Sequence, residues 1–269
     1  MQDYSEKVVV ITGSGAGIGF ALAKAFGTDG AKLVVTDISE ERTLAAVDAL
    51  QAMGMEAVGR VCDVSKRQEV DNLAAFTVGH YGQVDVLVNN AGIGQVPGPL
   101  IDMDLDKFRR VMDVNLYGVI NGIQVFGKIF TERGTPAAIY NLGSENSIYP
   151  CVPSSHAYIA SKHAVLAVSE LLAEETPDFI EVALIMPGLV ETEMTRGIFE
   201  GMKADDFASK VLDQLKAGEF YVVSHAYNRV RLDERPANIA AAYDRYAPRS
   251  EGDDEYYIRT LVEKMGLPQ

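Results

Sequence analysis

The chain has 269 residues, 48% of them apolar, and a formal net charge of −14. This charge disfavours nucleic acids and acidic carrier proteins as partners, because like charges repel. Two cysteines, Cys62 and Cys151, are too few for a disulfide framework, and with four scattered histidines they match no metal-site spacing. The N-terminus is polar and no apolar run approaches the ~20 residues of a membrane span. We therefore expect a cytoplasmic protein without a membrane partner, a disulfide or a metal.

The first predicted element is a buried strand over Val8–Ile11, which is rich in β-branched residues. It leads into a glycine-rich turn at Thr12–Gly19, and apolar residues from Ala21 to Phe26 follow at helical spacing. This order is typical of a dinucleotide-binding turn, where glycines admit a pyrophosphate and the helix N-terminus supplies amides. The spacing is T-G-x-x-x-G-x-G rather than G-x-G-x-x-G, so a glycine-rich βα turn without a ligand is the alternative.

A second predicted strand over Lys32–Asp37 ends in an acidic residue. Asp37 lies close to the ~20-residue offset from the glycine turn at which a carboxylate holds the adenosine ribose hydroxyls. That carboxylate would repel a 2′-phosphate, and no arginine or lysine lies in the turn or directly after Asp37. The pattern therefore favours NAD over NADP. The alternative role for Asp37 is to cap the helix that begins near Ser39.

Strands and helices continue to alternate along the chain. A capping-box pattern at Ser65–Gln68 predicts the start of a helix that carries Val70, Leu73 and Phe76 on one face. Alternation of this kind predicts an α/β fold with a doubly wound parallel sheet of about seven strands, flanked by helices, in one domain over residues 1–269. Further strands are predicted at Ala57–Val61, Val84–Val88, Ala138–Leu142, Val182–Met186 and Phe220–Val223.

The most specific feature is Tyr158-Ile-Ala-Ser-Lys162, which lies in a predicted helix. Residues four apart share a helix face, so the ammonium of Lys162 is expected beside the hydroxyl of Tyr158. An ammonium stabilises the phenolate, and we expect the pKa of Tyr158 to lie below the ordinary ~10. Such a tyrosine can accept a proton from an alcohol. A surface tyrosine and lysine are the alternative, but the order of the other motifs favours a catalytic pair.

Taken in order, these motifs resemble the short-chain dehydrogenase/reductase family, NAD-dependent type, from Val8 to about Ser224. The resemblance implies a single Rossmann-type domain, a nicotinamide cofactor, and hydride transfer between an alcohol and a carbonyl. Its motifs are TGSGAGIG at 12–19, Asp63-Val64, Asn89-Asn90-Ala91-Gly92, Asn115, Ser144, YIASK at 158–162, and Pro187-Gly188 followed by Thr192.

The resemblance implies four catalytic residues. Tyr158 is the base in alcohol oxidation and the acid in carbonyl reduction, and Lys162 also holds the nicotinamide ribose. Ser144 hydrogen-bonds the substrate oxygen, with Ser147 as the competing serine. Asn115 kinks its helix and holds a water that links Lys162 to solvent, and a polar residue on a solvated helix face is the alternative.

The same resemblance assigns NAD binding to the ends of the strands. The implied residues are Gly13, Ser14, Gly17, Ile18, Gly19, Asp37, Ile38, Asp63, Val64, Asn90, Ala91, Gly92, Val114, Tyr158, Lys162, Pro187, Gly188, Val190 and Thr192.

The substrate-binding residues are predicted to be mostly apolar. This lining favours a bulky, uncharged secondary alcohol or ketone that is aromatic, alicyclic or steroidal, while ordinary packing under a loop is the alternative. Arg196 is a nearby cation, and Glu145 either contacts the substrate or caps its loop. The candidates are Ile93, Gln95, Glu145, Tyr149, Met194, Ile198 and Phe199, with Val96, Ile148, Val152 and Met202 as further members.

The segment 225–269 is predicted to be a helical extension, because Ile239, Tyr243 and Tyr246 have helical spacing, as do Leu261 and Met265. Many family members instead end in a short glycine-rich segment. The extension could cover the pocket, reach a neighbouring subunit or be a solvated appendage.

A homodimer or homotetramer is implied by the resemblance through the helices that carry Asn115 and Tyr158. Both continue as apolar faces, and an exposed apolar face marks an interface unless the extension covers it. The predicted function is NAD(H)-dependent interconversion of a secondary alcohol and a ketone. The alternatives are an NADP-dependent or acyl-thioester reductase of the same family, and a non-catalytic dinucleotide-binding or redox-sensing protein.

Overall fold

The computed structural model describes residues 1–94, 97–193 and 200–266. The chain divides into two compact units, Met1–Ala226 and Tyr227–Gln269. The boundary lies within two residues of the predicted start of the C-terminal extension. That both units form one domain stays a prediction.

The first unit is built on a parallel sheet. Its strands are Val8–Thr12 (β1), Lys32–Thr36 (β2), Ala57–Gly59 (β3), Val86–Asn89 (β4), Ala137–Leu142 (β5), Ile180–Met186 (β6) and Tyr221–Val223 (β9), and a separate pair is formed by Val190–Glu191 (β7) and Met202–Lys203 (β8). The seven-stranded sheet has the order β3-β2-β1-β4-β5-β6-β9. The predicted doubly wound α/β fold is therefore confirmed. The order reverses between β1 and β4, where such sheets bind ligands beyond their carboxyl ends.

Helices cover both faces of this sheet. They are Gly17–Thr28 (α1), Glu40–Ala52 (α2), Arg67–Tyr81 (α3), Leu105–Met112 (α4), Gly118–Arg133 (α5), His156–Glu175 (α6) and Ala204–Lys216 (α7). Side chains of alternate parity on β1 enter the two cores. Val9 and Ile11 pack with Phe26 and Phe207 on one face, and Val10 packs on the other. Burial on both faces explains why the strands are continuous apolar runs.

The start of α3 differs from the prediction. Its N-cap is Lys66, which makes no side-chain cap hydrogen bond, so the capping box at Ser65–Gln68 is wrong. Ser65 instead donates from its backbone N–H (3.1 Å) and its hydroxyl (2.6 Å) to Asp63 Oδ1. Glu69 accepts the backbone N–H of Asp63 at 2.7 Å. The bonds among Asp63, Ser65 and Glu69 therefore fix the loop that leads into α3.

The second unit contains the helices Glu234–Tyr246 (α8) and Ile258–Met265 (α9), which agree with the predicted helical spacing. Ile239, Tyr243 and Tyr246 of α8 and Leu261 and Met265 of α9 are exposed. Within the described ranges, no helix has the length and apolar character needed to cross a membrane.

Candidate active site

A cleft of about 380 Å³ opens at the carboxyl ends of β1, β4 and β5. This volume lies within the range of small-molecule pockets. Its walls combine most of the predicted cofactor residues with several that were not predicted. The lining residues are Gly13, Ala16, Gly17, Ile18, Gly19, Asp37, Ile38, Arg42, Cys62, Asp63, Val64, Asn90, Ala91, Gly92, Ile93, Arg110, Val114, Leu142, Gly143, Ser144, Tyr158, Lys162, Pro187, Gly188, Leu189, Val190, Thr192 and Glu193.

The glycine turn has no room for side chains at two of its positions. A Cβ on Gly19 would lie 2.4 Å from the carbonyl oxygen of Gly13 and 2.5 Å from Asn90 Nδ2. Gly13 has φ +63° and its backbone packs against Ala91. The turn therefore stays close to the strand ends and leaves its outer surface open to a ligand.

The first turn of α1 can bind an anion. Its N-cap, Ala16, offers no side-chain acceptor, so the first amides of the helix are not satisfied by a capping side chain. These amides and the helix dipole favour a negatively charged group at this end. Ala16, Gly17 and Ile18 all line the cleft, and a pyrophosphate fits this cradle.

Ser14 lies outside the cleft lining, which differs from the prediction. Its hydroxyl donates to the carbonyl of Ile11 at 2.6 Å and accepts the N–H of Thr36 at 3.1 Å. The side chain is fully buried. It therefore ties β1 to β2 beneath the turn.

One end of the cleft carries charges of both signs. Asp37 is 8% exposed and accepts the N–H of Ser39 at 3.0 Å, while Ser39 itself caps α2. Asp37 is therefore not the cap of α2. Arg42, in the first turn of α2, enters the same end of the cleft, which the sequence pattern did not indicate. Gly15 permits this approach, because a Cβ there would lie 2.8 Å from Arg42 Cβ and 2.9 Å from Asp37 Oδ2.

Asp63 lies beside Arg110, a second unpredicted basic residue, with 3.7 Å between Asp63 Oδ2 and Arg110 Nη2. Burial alone would raise the pKa of Asp63, but hydrogen bonds from Ser65 and the charges of Arg110 and Lys66 outweigh it and lower this pKa. Asp63 therefore remains ionised at neutral pH.

At the other end, α6 places Tyr158 and Lys162 in the cleft wall. Lys162 is 3% exposed, and its Nζ donates to the carbonyl of Leu142 at 2.6 Å. The same Nζ lies 5.7 Å from the centroid of the Tyr158 ring. Burial lowers the pKa of Lys162 to about 8. The group is still mostly protonated at neutral pH and has further N–H donors for a ribose hydroxyl.

The pKa of Tyr158 departs from the prediction. Burial raises it, the hydrogen bond with Ser144 lowers it, and the nearby Glu145 and Cys151 raise it further. The ammonium of Lys162 is instead directed to the backbone of β5, where it donates to the carbonyl of Leu142. In the protein alone, therefore, the expected lowering of the Tyr158 pKa by Lys162 is wrong, and desolvation of the phenolate dominates.

The two candidate serines have different positions. Ser144 lines the cleft and hydrogen-bonds Tyr158, and its Oγ accepts the N–H of Asn146 at 3.1 Å. Ser147 is fully buried, and its Oγ accepts the N–H of Ser144 at 3.1 Å. This reciprocal capping box fixes the turn at Glu145–Ser147. Ser144 is thus presented to a ligand, while Ser147 holds Ser144 in place.

Asn115 lies in a π-turn, Asp113–Tyr117, between α4 and α5, and is 0% exposed. Its Oδ1 accepts the N–H of Ile93 at 2.8 Å, and its Nδ2 donates to the carbonyl of Ile93 at 3.0 Å and to Ser161 Oγ at 3.1 Å. The alternative of a solvated helix face is therefore wrong. Asn115 joins the loop after β4 to α6, and the wider π-turn accounts for the expected irregularity of the helix.

Several predicted substrate residues lie outside the cleft lining. Glu145 is partly buried beside Tyr158, and its Oε2 is buried without a hydrogen-bond partner among the residues that the structure describes. Tyr149 is 7% exposed, Ile148 packs against Val119 and Val165, and Met202 packs against the core. Val152 is exposed. Of the predicted set, Ile93 lines the cleft, while Gln95, Val96, Met194, Arg196, Ile198 and Phe199 lie outside the described residues.

The cleft fits a nicotinamide dinucleotide from end to end. The glycine cradle and the open first turn of α1 would hold the pyrophosphate, Asp37 the adenosine ribose, and Lys162 the nicotinamide ribose. Asn90 donates to the carbonyls of Thr12 (2.7 Å) and Gly13 (3.0 Å) and so fixes the cradle. Within the described ranges, no group of three or more His, Cys, Asp or Glu side chains could hold a metal ion.

A family model for the short chain dehydrogenases matches residues 7–203. The chain belongs to the short-chain dehydrogenase/reductase family. It is 33% identical over 238 residues to 1-deoxy-11-beta-hydroxypentalenate dehydrogenase of Streptomyces avermitilis, with 84% of this chain and 87% of the relative covered. It is 30% identical over 237 residues to the (S)-acetoin-forming diacetyl reductase of Staphylococcus epidermidis, with 87% and 88% covered.

A solved structure is equally similar. The short-chain dehydrogenase/reductase of Burkholderia phymatum in complex with NAD superposes with a TM-score of 0.85 at 29% identity, with 93% of this chain and 100% of that chain covered. Family membership and the sheet order agree, so the protein is an oxidoreductase of the dinucleotide-binding type.

Proposed function

We propose that the protein is an NAD(H)-dependent oxidoreductase that interconverts a secondary alcohol and a ketone on a mostly apolar, bulky or aromatic small molecule. The observation that supports this most is the placement of Ser144, Tyr158 and Lys162 at one end of a cleft whose other end holds Asp37. One dinucleotide could therefore reach both the proposed catalytic residues and the carboxylate of Asp37.

Tyr158 acts as the base in the proposed oxidation. Its phenolate takes the hydroxyl proton of the alcohol while the C–H hydride leaves and the carbonyl forms. A bound oxidised nicotinamide would supply the hydride acceptor, and its positive charge would lower the pKa of Tyr158. The hydroxyl of Ser144 holds the substrate oxygen, as a donor to developing negative charge does.

NAD is the proposed cofactor, because the Asp37 carboxylate would repel a 2′-phosphate. NADP is the second candidate on one observation, which is that Arg42 lies in the same part of the cleft as Asp37. An arginine binds phosphate through charge-assisted hydrogen bonds. The alternative of an acyl-thioester reductase is disfavoured by the charge of −14, which repels an acidic carrier.

The proposed substrate class is supported by what the relatives are named for. One relative is a dehydrogenase of a hydroxypentalenate and another a diacetyl reductase that forms acetoin. Both names describe hydroxyl–carbonyl chemistry. The apolar groups that line the cleft beside Tyr158 include Ile93 and Leu142.

The test is a screen of secondary alcohols with NAD and with NADP, followed through the absorbance of the reduced cofactor. Turnover of an apolar secondary alcohol with NAD is expected. Binding of NADH without turnover of any alcohol or ketone would favour the non-catalytic dinucleotide-binding alternative.

Assembly into a homodimer or homotetramer remains part of the proposal. On the two predicted apolar faces, Val119 and Val165 are buried within the chain, and the partly exposed members are Leu116, Ile120, Ile123, Val168 and Leu172. Only part of the two predicted faces is thus available to a partner. Light scattering at micromolar concentration tests the assembly, and a fully active monomer would refute it.

A further inference from the structure

The segment Pro187–Leu189 leaves the sheet after β6 and forms one wall of the cleft. It has no regular secondary structure, so its position depends on contacts to other elements. The N–H of Glu145 donates to the carbonyl of Pro187 at 2.9 Å, and the N–H of Met202 donates to the carbonyl of Leu189 at 2.9 Å. These two bonds hold Pro187 and Leu189, the two ends of the segment. Gly188 lies between them.

His225 makes a third contact to this segment. The N–H of Gly188 donates to His225 Nδ1 at 3.1 Å, and His225 Nε2 lies 3.0 Å from the carbonyl oxygen of Leu189. One imidazole therefore spans two consecutive residues of the cleft wall. The carbonyl of Leu189 has two lone pairs, and they accept from Met202 and from His225.

The contacts specify one tautomer of His225. Nδ1 accepts from Gly188, and therefore carries a lone pair, while Nε2 faces a carbonyl and therefore carries the proton. The hydroxyl of Ser224 lies 2.7 Å from Nδ1. A proton on Nε2 suits the contacts of the ring with Gly188 and Leu189.

The position of His225 follows from strand register. β6 and β9 pair in parallel with Met186 opposite Val223. Two residues further along each strand, the same register brings residue 225 beside residue 188.

We infer that His225 is a positioning residue that holds the Pro187–Leu189 segment in the shape required to bind the nicotinamide half of the cofactor. The inference rests on the proposed function, because it assigns this wall of the cleft to that half. His225 contacts the backbone of Gly188 and Leu189 and would affect cofactor binding through the position of that backbone. The adenosine half is held by Asp37 and the glycine turn, which His225 does not contact within the described hydrogen bonds.

The experiment compares the affinity of the full-length protein for NADH and for AMP by calorimetry. His225→Phe keeps a ring and removes both polar contacts. His225→Asn restores an acceptor near Nδ1, and His225→Gln restores a donor near Nε2. His80→Phe is the matched control, because His80 lies on α3, is exposed and stacks on Phe76 away from the cleft.

We expect His225→Phe to weaken NADH binding about tenfold, the loss expected for one or two ordinary hydrogen bonds, and to leave AMP binding within about twofold of wild type. At least one of His225→Asn and His225→Gln should recover part of the loss, and His80→Phe should match wild type. Unchanged NADH affinity in His225→Phe would overturn the inference, as would an equal loss for AMP. If His225→Phe does not fold, a loss of NADH affinity with unchanged AMP affinity in either polar variant supports the inference, and wild-type NADH affinity in both, or equal losses of NADH and AMP affinity, overturn it. Failure of the wild type to bind NADH would overturn the proposed function itself.

Discussion

The two ends of the cleft differ in the kind and the burial of their ionisable groups. At the adenosine end, Asp37, Asp63, Arg42 and Arg110 form a mixed set of charges, and both arginines are exposed. At the reaction end, Lys162 and Asn115 are almost completely buried, and burial shifts the pKa values of Lys162 and Tyr158 against their charged forms. Exposed charges are screened and each contributes modestly, whereas a buried ionisable group changes its chemistry with every neighbour.

The difference teaches where a single substitution has a large effect. In the proposed function, several groups at the adenosine end share the recognition of one cofactor, so the loss of one should change only the cofactor preference. At the reaction end, the phenol of Tyr158 alone would carry the proton transfer, and burial destabilises the ammonium of Lys162. The predictions below test this contrast in order of expected size.

Tyr158→Phe removes the proton acceptor and should lower turnover by about 10³-fold, within the range for general acid–base catalysis. NADH affinity should change little, because the ring remains in the cleft wall. Steady-state kinetics and calorimetry measure the two effects. Tyr221→Phe, which removes an exposed hydroxyl on β9, serves as the control and should retain activity. Substantial turnover by Tyr158→Phe would show that another group does the acid–base work.

Lys162→Met tests how strongly burial opposes the ammonium. The pKa of Lys162 in the folded protein, about 8, lies below the 10.5 of an unperturbed lysine. Between these values the unfolded chain binds more protons, so the free energy of unfolding of the wild type should rise with pH. From pH 7 to pH 9.5 the stability of the wild type should gain about 2 kcal/mol relative to Lys162→Met.

Urea unfolding at the two pH values measures this difference. Lys128→Met removes a lysine charge on the exposed face of α5. The stability of this control should change with pH as that of the wild type does. A pH-independent difference for Lys162→Met would mean that the buried amine is not destabilised as the structure indicates. In kinetics, Lys162→Met should weaken both NADH binding and turnover, because the residue has two proposed roles.

Asp37→Asn should reduce the preference for NAD over NADP by about tenfold, which corresponds to 1.4 kcal/mol. The repulsion of a 2′-phosphate disappears, and Arg42 remains to attract it. The ratio of kcat/KM for the two cofactors measures the effect, and Asp48→Asn on the exposed side of α2 is the control. Equal use of NAD and NADP by the wild type would contradict the role assigned to Asp37.

Much of this site could be predicted from the sequence because its parts are local. The glycine turn, the strand-ending Asp37 and the helical pair of Tyr158 and Lys162 each depend on one strand end or one helix face. What could not be predicted depends on packing between distant segments. Arg110 enters the cleft through the placement of α4, and His225 reaches its segment through the register of β6 and β9. The side chain of Ser14 points inward, where its hydroxyl bonds the backbone of both β1 and β2.

Glu145→Gln makes the smallest change and tests the reaction end most directly. Among the described residues, Ser144, Glu145, Cys151 and Lys162 lie near Tyr158, and the carboxylate of Glu145 is one of the groups that raise the pKa of Tyr158. Removing this charge stabilises the phenolate, so the midpoint at which alcohol oxidation rises with pH should move to lower pH. The same shift should appear in ketone reduction, where the rate falls as the phenol loses its proton. Glu41→Gln, on the exposed surface of α2, should leave both profiles unchanged. A midpoint that stays in place or rises would show that the carboxylate of Glu145 does not act on the base.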